Sequence, residues 1–178
     1  MYKRQVLEIG AGCGAVTGGL AEKAKSVDCI ELSKKRSMIN AFRHKNLDNI
    51  KITVGNFEEI EIEKKYDVVT LIGVLEYAES YIHSANPYDD FLKRVFSMLK
   101  PGGRLYIAIE NKLGIKYFAG CREDHLGEEF VGIEGYEKKQ GVRTFTYSEL
   151  RNMAVKSGFS EIKFYYPFPD YKIPTEIY

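Results

Sequence analysis

In 178 residues, 26 lysines and arginines stand against 25 aspartates and glutamates, a net charge of +1. That balance excludes a generic nucleic-acid binder, the one basic run, Lys34-Lys35-Arg36, reading as a solvated helix surface. A chain of this size hides about two-thirds of its unfolded surface, so a single domain over 1–178 is expected, and no apolar run approaches the roughly 18 residues of a membrane span.

The three cysteines, Cys13, Cys29 and Cys121, are odd in number and lack C-x-x-C or any other metal spacing. Neither a disulfide scaffold nor a metal site is expected, and a cytoplasmic location is. The chain enters a strand pattern within a few residues and stops at Pro174-Thr175-Glu176-Ile177-Tyr178 without a polar tail, which reads as a piece of something longer.

The first expected strand, about Arg4 to Ile9, runs into Gly10-Ala11-Gly12-Cys13-Gly14. An apolar run that ends in alternating glycines and is followed by a helical pattern places a turn without side chains over the end of a parallel strand, where open α/β sheets bind ligands. A helix over about Ala15 to Lys25 follows, with Val16, Leu20 and Ala24 on one face. The second strand, Ser26 to Glu31, ends in an acid about 20 residues beyond the glycines, the separation that brings a carboxylate to ribose hydroxyls. Ser33 caps a helix from Lys34 to about His44.

A third strand, Ile50 to Val54, leads into Gly55-Asn56-Phe57, and a fourth, Tyr66 to Ile72, is a nearly unbroken apolar run suited to burial on both faces. It opens into Gly73-Val74-Leu75-Glu76-Tyr77. A helix over Pro87 to Leu99, with Phe91, Val95, Met98 and Leu99 inward, stops at Lys100-Pro101-Gly102-Gly103. The fifth strand, Arg104 to Ile109, ends in Glu110-Asn111-Lys112. The segment that follows, about 111–145, fits neither period and carries Gly114, Gly120, Gly127, Gly132, Gly135 and Gly141, which suggests a lid or acceptor-binding insertion. Thr146 then caps a helix through Lys156, and Glu161 to Tyr166 reads as a sixth strand. The order predicts an α/β fold, a doubly wound, mostly parallel sheet with helices on both faces.

For the glycine turn, Gly10, Gly12 and Ala15 satisfy G-x-G-x-x-[GA] with Glu31 beyond, so a dinucleotide and a nicotinamide oxidoreductase are open. The fuller spacing is Glu8-x-Gly10-x-Gly12-x-Gly14. An acid inside the strand suits a ligand with a cationic ammonium group better than a pyrophosphate.

Four separated motifs resemble those of class I S-adenosylmethionine-dependent methyltransferases. They are Val6-Leu7-Glu8-Ile9-Gly10-Ala11-Gly12-Cys13-Gly14, Cys29-Ile30-Glu31-Leu32-Ser33, Tyr66-Asp67-Val68-Val69 with Leu75-Glu76, and Leu99-Lys100-Pro101-Gly102-Gly103-Arg104-Leu105. The run Ile109 to Gly120 also resembles a subgroup encoded among bacterial cell-surface polysaccharide genes. The resemblance implies a Rossmann-like methyltransferase fold and S-adenosyl-L-methionine as cofactor. It also implies a cofactor-binding set of Glu8, Gly10, Ala11, Gly12, Gly14, Glu31, Leu32, Asn56, Phe57 and Gly73. In that set Glu8 neighbours the methionine amino end, Glu31 takes the ribose hydroxyls, the Asn56 carbonyl accepts the adenine amino group and Phe57 lies against the adenine. A family seventh strand is not expected to be complete, because Pro167, Pro169 and Pro174 interrupt the remaining chain.

Methyl transfer to a small-molecule or saccharide oxygen needs a base, and the candidates are Glu76, His83, Glu110, Asn111, His125 and Glu134. For His83 and His125 an exposed loop position is the plainer expectation, and for His44 a surface position or one at a helix C-terminus, where the dipole favours it. The aromatic residues Tyr117, Phe118, Phe130, Tyr136, Tyr165, Tyr166, Phe168 and Tyr171 read as core, or as a platform for carbohydrate. Cys13 reads as a small packing residue. The alternative to an enzyme is a non-catalytic cofactor-binding module of a multidomain cell-surface biosynthesis protein. The oligomeric state and the acceptor are not legible.

Overall fold

In the computed structural model, which describes residues 4–137 and 141–178, the apolar run at the start forms β1 (Gln5–Ile9), buried from Val6 to Ile9. It pairs in parallel with β2 (Ser26–Glu31) on one side and β4 (Tyr66–Ile72) on the other, and β2 pairs in parallel with β3 (Ile50–Val54). With β5 (Leu99–Ala108) the sheet has the order β3-β2-β1-β4-β5. The chain moves outward from β1 to β3 and then crosses back to β4. Strand order therefore reverses between β1 and β4, the place where open sheets leave a ligand crevice beyond their carboxyl ends. The fold is α/β, Rossmann-like, with a doubly wound sheet.

Packing divides the chain into two units, Met1–Val74 with Arg94–Ile107, and Leu75–Lys93 with Ala108–Tyr178. In the first, α1 (Thr17–Lys23) and α2 (Lys34–Arg43) follow β1 and β2. Val6, Ala11, Ala21, Val27, Cys29 and Val68 form a core cluster there, with Leu20, Ala24, Ile50 and Ile52 packed against it. Of the expected row, Leu20 and Ala24 face this cluster but Val16 is 38% exposed, and the fully buried residues of α1 are Thr17 and Ala21. Thr17 wins that place because its hydroxyl is bonded from both sides, as described below. Ser33 caps α2 through Arg36 N–H at 3.3 Å.

Two of the sequence motifs turn out to brace the sheet. Lys100 Nζ lies 2.9 Å from Asp67 Oδ2, which also accepts the Gln5 N–H at 2.7 Å, tying β5 and β4 to the start of β1. The pairing of β5 begins earlier than expected, since Tyr66 N–H already donates to the Met98 carbonyl at 2.8 Å.

The second unit holds a 3-10 turn (Leu75–Tyr77), α3 (Ala78–Tyr81), α5 (Ile115–Phe118), α6 (Val131–Glu134) and α7 (Tyr147–Lys156); α4 (Pro87–Ser97) carries the chain back to the first. A reciprocal box starts α7: Thr146 Oγ1 accepts the Glu149 N–H and the Glu149 carboxylate accepts the Thr146 N–H. The segment around 111–145, of which 138–140 lie outside the described residues, is partly ordered by Tyr117, Val142 and Phe145, all buried. Asn111 pairs in parallel with Phe145 in an isolated bridge.

Two expectations fail here. Residues 161–166 form no strand; the ladder sits later, as an antiparallel pair of β6 (Pro167–Phe168) and β7 (Glu176–Ile177) in its own two-stranded sheet. Tyr166 and Tyr178 exchange backbone hydrogen bonds, so the alternating run before Pro167 meets its partner only at its last residue. Among the described residues no complete seventh strand joins the main sheet. Nor are the aromatics mostly core: Tyr117 is 3% exposed, but Phe118, Phe130, Tyr165, Tyr166 and Phe168 are exposed.

Candidate active site

At the carboxyl end of β1 the chain turns through three left-handed glycines, Gly10 (φ 74°), Gly12 (φ 55°) and Gly14 (φ 81°). The Gly10 and Ala11 N–H groups both donate to the Ile30 carbonyl, at 2.8 and 3.1 Å, pinning the turn to β2. A side chain at Gly10 would stand 2.4 Å from Val74 Cγ2, and one at Gly14 would stand 2.4 Å from Asn40 Oδ1. Gly12 differs: its missing Cβ would meet nothing closer than the Gly10 carbonyl at 4.0 Å, so the loop leaves an open cradle there. A Cβ would fill that space, and a bound group can approach the backbone through it.

Beneath the turn runs a buried polar chain. Asn40 Nδ2 donates to Thr17 Oγ1 (3.1 Å), whose hydroxyl donates to Glu8 Oε2 (2.6 Å), which also accepts the Cys29 thiol at 3.5 Å. Glu8 is buried, and that burial pushes its carboxyl above the usual range, only partly offset by the Thr17 and Cys29 hydrogen bonds. An acid held in this way favours a cationic neighbour. His44, at the C-terminal end of α2 as expected, belongs to the same support: its Nε2–H donates to the Gly14 carbonyl at 2.9 Å. Cys13 is exposed and does not pack.

Glu31 closes the edge of the cradle. Its two carboxylate oxygens accept the Gly12 N–H and the Ser33 N–H, each at 2.9 Å, while the residue is 5% exposed. Each oxygen keeps a lone pair for a further donor. Leu32 is exposed beside it, and Gly73 (φ 65°) ends β4. After β3, Asn56 Oδ1 accepts the Glu58 N–H at 3.2 Å, and Phe57 is buried with the Arg94 guanidinium 4.9 Å above its ring. The Phe57 ring is therefore packed rather than free to stack.

In the second unit a separate constellation forms. Glu76, in the 3-10 turn after β4, and Glu110, two residues past β5, are 1% and 6% exposed. His125 Nε2 lies 3.7 Å from Glu76 Oε1 and 3.7 Å from Glu110 Oε2. His125 Nδ1 is 2.9 Å from Glu123 Oε1, and the buried Glu123 also accepts the His125 and Leu126 N–H groups and the Tyr136 hydroxyl. The Glu76 carboxylate, first, and then Glu123 raise the His125 pKa to about 9 against its own burial. Burial pushes Glu123 up, but those hydrogen bonds outweigh it and hold the carboxyl below the usual range. Tyr77 packs edge-on against the imidazole at 5.4 Å, and Lys172 Nζ pairs with Glu110 Oε1 at 2.7 Å.

Of the base candidates, then, Glu76, Glu110 and His125 come together. His125 is not the exposed loop histidine expected, because its side chain is 7% exposed. His83 and Glu134 are exposed and outside the cluster, and Asn111 is exposed with its Oδ1 accepting the Leu113 N–H in its own turn at 3.0 Å. Glu123, Tyr136 and Lys172 were not foreseen. The Glu123-x-His125 spacing within a polar run was the only signal.

Sheet order, glycine turn and the acid at the tip of β2 define a Rossmann-like domain that binds a nucleotide-type cofactor. Residues 7–105, more than half of the chain, match the methyltransferase domain family, and the chain belongs to that family, here a class I domain with S-adenosylmethionine as cofactor. It is 24% identical over 139 residues to the mitochondrial ubiquinone biosynthesis O-methyltransferase of Dictyostelium discoideum, covering 71% of this chain and 40% of that protein. To the ubiquinone biosynthesis O-methyltransferase of Rickettsia typhi it is 28% identical over 119 residues, covering 66% and 46%. The chain thus spans less than half the length of these curated relatives.

Among solved structures, N-methyltransferase NodS of Bradyrhizobium japonicum with S-adenosyl-L-homocysteine aligns with a TM-score of 0.56 at 21% identity, covering 65% of this chain and 57% of NodS. The [4+2]-cyclase SpnF aligns with a TM-score of 0.65 at 19% identity, covering 93% and 54%. One fold thus carries differently named reactions, and the site must argue the rest.

Proposed function

We propose that this chain transfers a methyl group from S-adenosylmethionine to an oxygen atom of a small-molecule or saccharide acceptor. In this proposal it acts as one methyltransferase domain whose segment around 111–145 meets the acceptor, and it belongs to a longer cytoplasmic protein of cell-surface polysaccharide biosynthesis. The observation that carries the cofactor half is the pairing of the open cradle at Gly12 with the buried Glu31 carboxylate bonded to the Gly12 N–H at 2.9 Å. The names of the curated relatives, O-methyltransferases, support an oxygen acceptor. The polysaccharide context rests on the resemblance of the run Ile109 to Gly120.

When bound, the cofactor supplies an electrophilic methyl group on a sulfonium. The residues present fit it. Gly10, Ala11, Gly12 and Gly14 offer backbone where side chains would obstruct, and Glu31 has lone pairs left for ribose hydroxyls. Buried Glu8 favours the cationic methionine end, while Leu32, Asn56, Phe57 and Gly73 line the rest. Displacement at a sulfonium quenches charge, so the protein's tasks are alignment and exclusion of water. A hydroxyl acceptor must also lose its proton. Glu76 is assigned that role, since its buried Oε2 has no hydrogen-bond partner.

Calorimetric titration with S-adenosylhomocysteine tests the cofactor half: one molecule binds per chain with micromolar affinity, and a folded chain that gives no heat and no thermal shift overturns it. Turnover is then followed as S-adenosylhomocysteine release from panels of phenolic and saccharide acceptors. Glu76→Gln should lower kcat at least tenfold with binding unchanged. Binding without turnover on any acceptor by the full-length protein would favour the non-catalytic module.

A further inference from the structure

Three side chains from three separate stretches of the second unit, Glu76, Glu110 and His125, bring one ligand atom each to within 4.8 Å of one another. No sequence spacing announces them, and no metal site was expected of this chain. Glu110 Oε2 and Glu76 Oε2 are buried without hydrogen-bond partners, on residues more than nine-tenths buried. Glu110 Oε2 faces His125 Nε2 directly, at 3.7 Å.

That distance is the informative one. Glu123 accepts from His125 Nδ1 at 2.9 Å, so Nδ1 keeps its hydrogen and Nε2 is the nitrogen that can give up its proton and offer a lone pair to a cation. Once that proton leaves, Nε2 and the two carboxylates face one another as acceptors, with Lys172 Nζ bound to Glu110 Oε1 and Glu110 Oε2 left without a partner. A proton on Nε2 does not complete the set, because 3.7 Å exceeds the roughly 2.7–3.2 Å span of an N–H···O bond. A cation about 2.1 Å from each ligand atom does, since tetrahedral ligands then stand roughly 3.4 Å apart. Histidine held by a carboxylate through its other nitrogen is the arrangement that orients metal-binding imidazoles.

We propose that Glu76, Glu110 and His125 bind a divalent cation of the zinc class, with Glu123 as the residue that positions His125. One imidazole and two carboxylates suit such an ion and leave coordination positions open. An oxygen of the acceptor would take one of them, and the proton of that hydroxyl would pass to the Glu76 oxygen not bound to the ion, since each residue offers the ion one ligand atom. That last step rests on the methyl-transfer reading; the binding of the ion does not.

The test is equilibrium dialysis of the metal-stripped full chain against Zn²⁺, with metal content measured per chain, and a parallel Co²⁺ titration read by its visible absorption. One equivalent is expected, with the intense bands of a four- or five-coordinate cobalt. His125→Gln and Glu110→Gln should each weaken binding at least a hundredfold. Glu123→Gln should weaken it ten- to a hundredfold while keeping the cobalt spectrum, which a merely structural role would not do. Wild-type chain that holds less than about a tenth of an equivalent overturns the proposal, as does stoichiometric binding that survives both substitutions. S-adenosylhomocysteine titration of the same samples separates the two proposals: its loss without loss of metal strikes the cofactor reading alone, and the converse strikes this one alone.

Discussion

Gly10 and Gly12 sit two residues apart in one turn, and alanine at each should do opposite things. At Gly10 the left-handed backbone (φ 74°) costs an L residue about 1 to 2 kcal/mol. The new Cβ would also lie 2.4 Å from Val74 Cγ2, an overlap of the kind that costs about 1 to 3 kcal/mol when neighbours must shift. Reduced freedom of the unfolded chain returns about 0.4 to 1 kcal/mol. Gly10→Ala should therefore lose roughly 3 kcal/mol, which for a chain of this size lowers Tm by about 10 °C. At Gly12 only the backbone penalty and the entropy offset apply, since the Cβ would enter open space, and the net loss is about 1 kcal/mol. Its Cβ occupies the cradle, so S-adenosylhomocysteine affinity should fall at least tenfold. Urea denaturation and calorimetry on both variants separate the effects. Val74→Ala in the Gly10→Ala background should show a coupling of about 1 to 3 kcal/mol by relieving the overlap. A Gly12→Ala chain that binds S-adenosylhomocysteine like the wild type refutes the placement of the cofactor over this turn. A Gly10→Ala chain as stable as Gly12→Ala refutes the steric account.

Further outcomes follow from neighbouring contacts. Glu31→Ala strips the acceptor from two backbone N–H groups and should cost about 1 to 3 kcal/mol by chemical denaturation, along with most of the cofactor affinity in calorimetry. Glu8→Gln keeps an acceptor for the Thr17 hydroxyl and removes a charge that burial penalises. A carboxyl raised in the fold favours the native state most at low pH and loses that contribution as pH rises through the raised value. The variant should therefore melt no lower than wild type at pH 8, yet bind the cofactor several-fold more weakly. Thr146→Ala should cost about 1 kcal/mol through the cap of α7 and leave S-adenosylhomocysteine titration unchanged. Burial raises the Glu149 carboxyl, but hydrogen bonds with Thr146 outweigh it and leave it below the usual range. Its stabilisation is thus present above the ordinary carboxylate pKa and drains as pH falls through the lowered one. Melts between pH 6 and 3 should show that slope in wild type and a flatter one in Glu149→Gln.

The strands of the main sheet were legible because each is a local signal: Ser26–Glu31, Ile50–Val54 and Tyr66–Ile72 are apolar runs bounded by glycine, acid or charge. The same holds for the cofactor turn, where three glycines need left-handed backbone whatever surrounds them, and for α7, whose Thr146 and Glu149 form a cap within one turn. Local chemistry also suggested a sixth strand at 161–166. It failed because a strand needs a partner, and sequence does not say where the partner lies. What sequence left undecided is how side chains far apart in the chain meet. Nothing local places Thr17 and Asn40 under Glu8, makes Lys100 the counter-ion of Asp67, or brings Glu76, Glu110 and His125 together across 49 positions. Burial and pairing are properties of the folded neighbourhood. Sequence alone determined that this chain would build a cofactor turn at the end of its first strand; only tertiary packing decided that Glu76, Glu110 and His125 would face one another with one buried oxygen of each carboxylate unsatisfied.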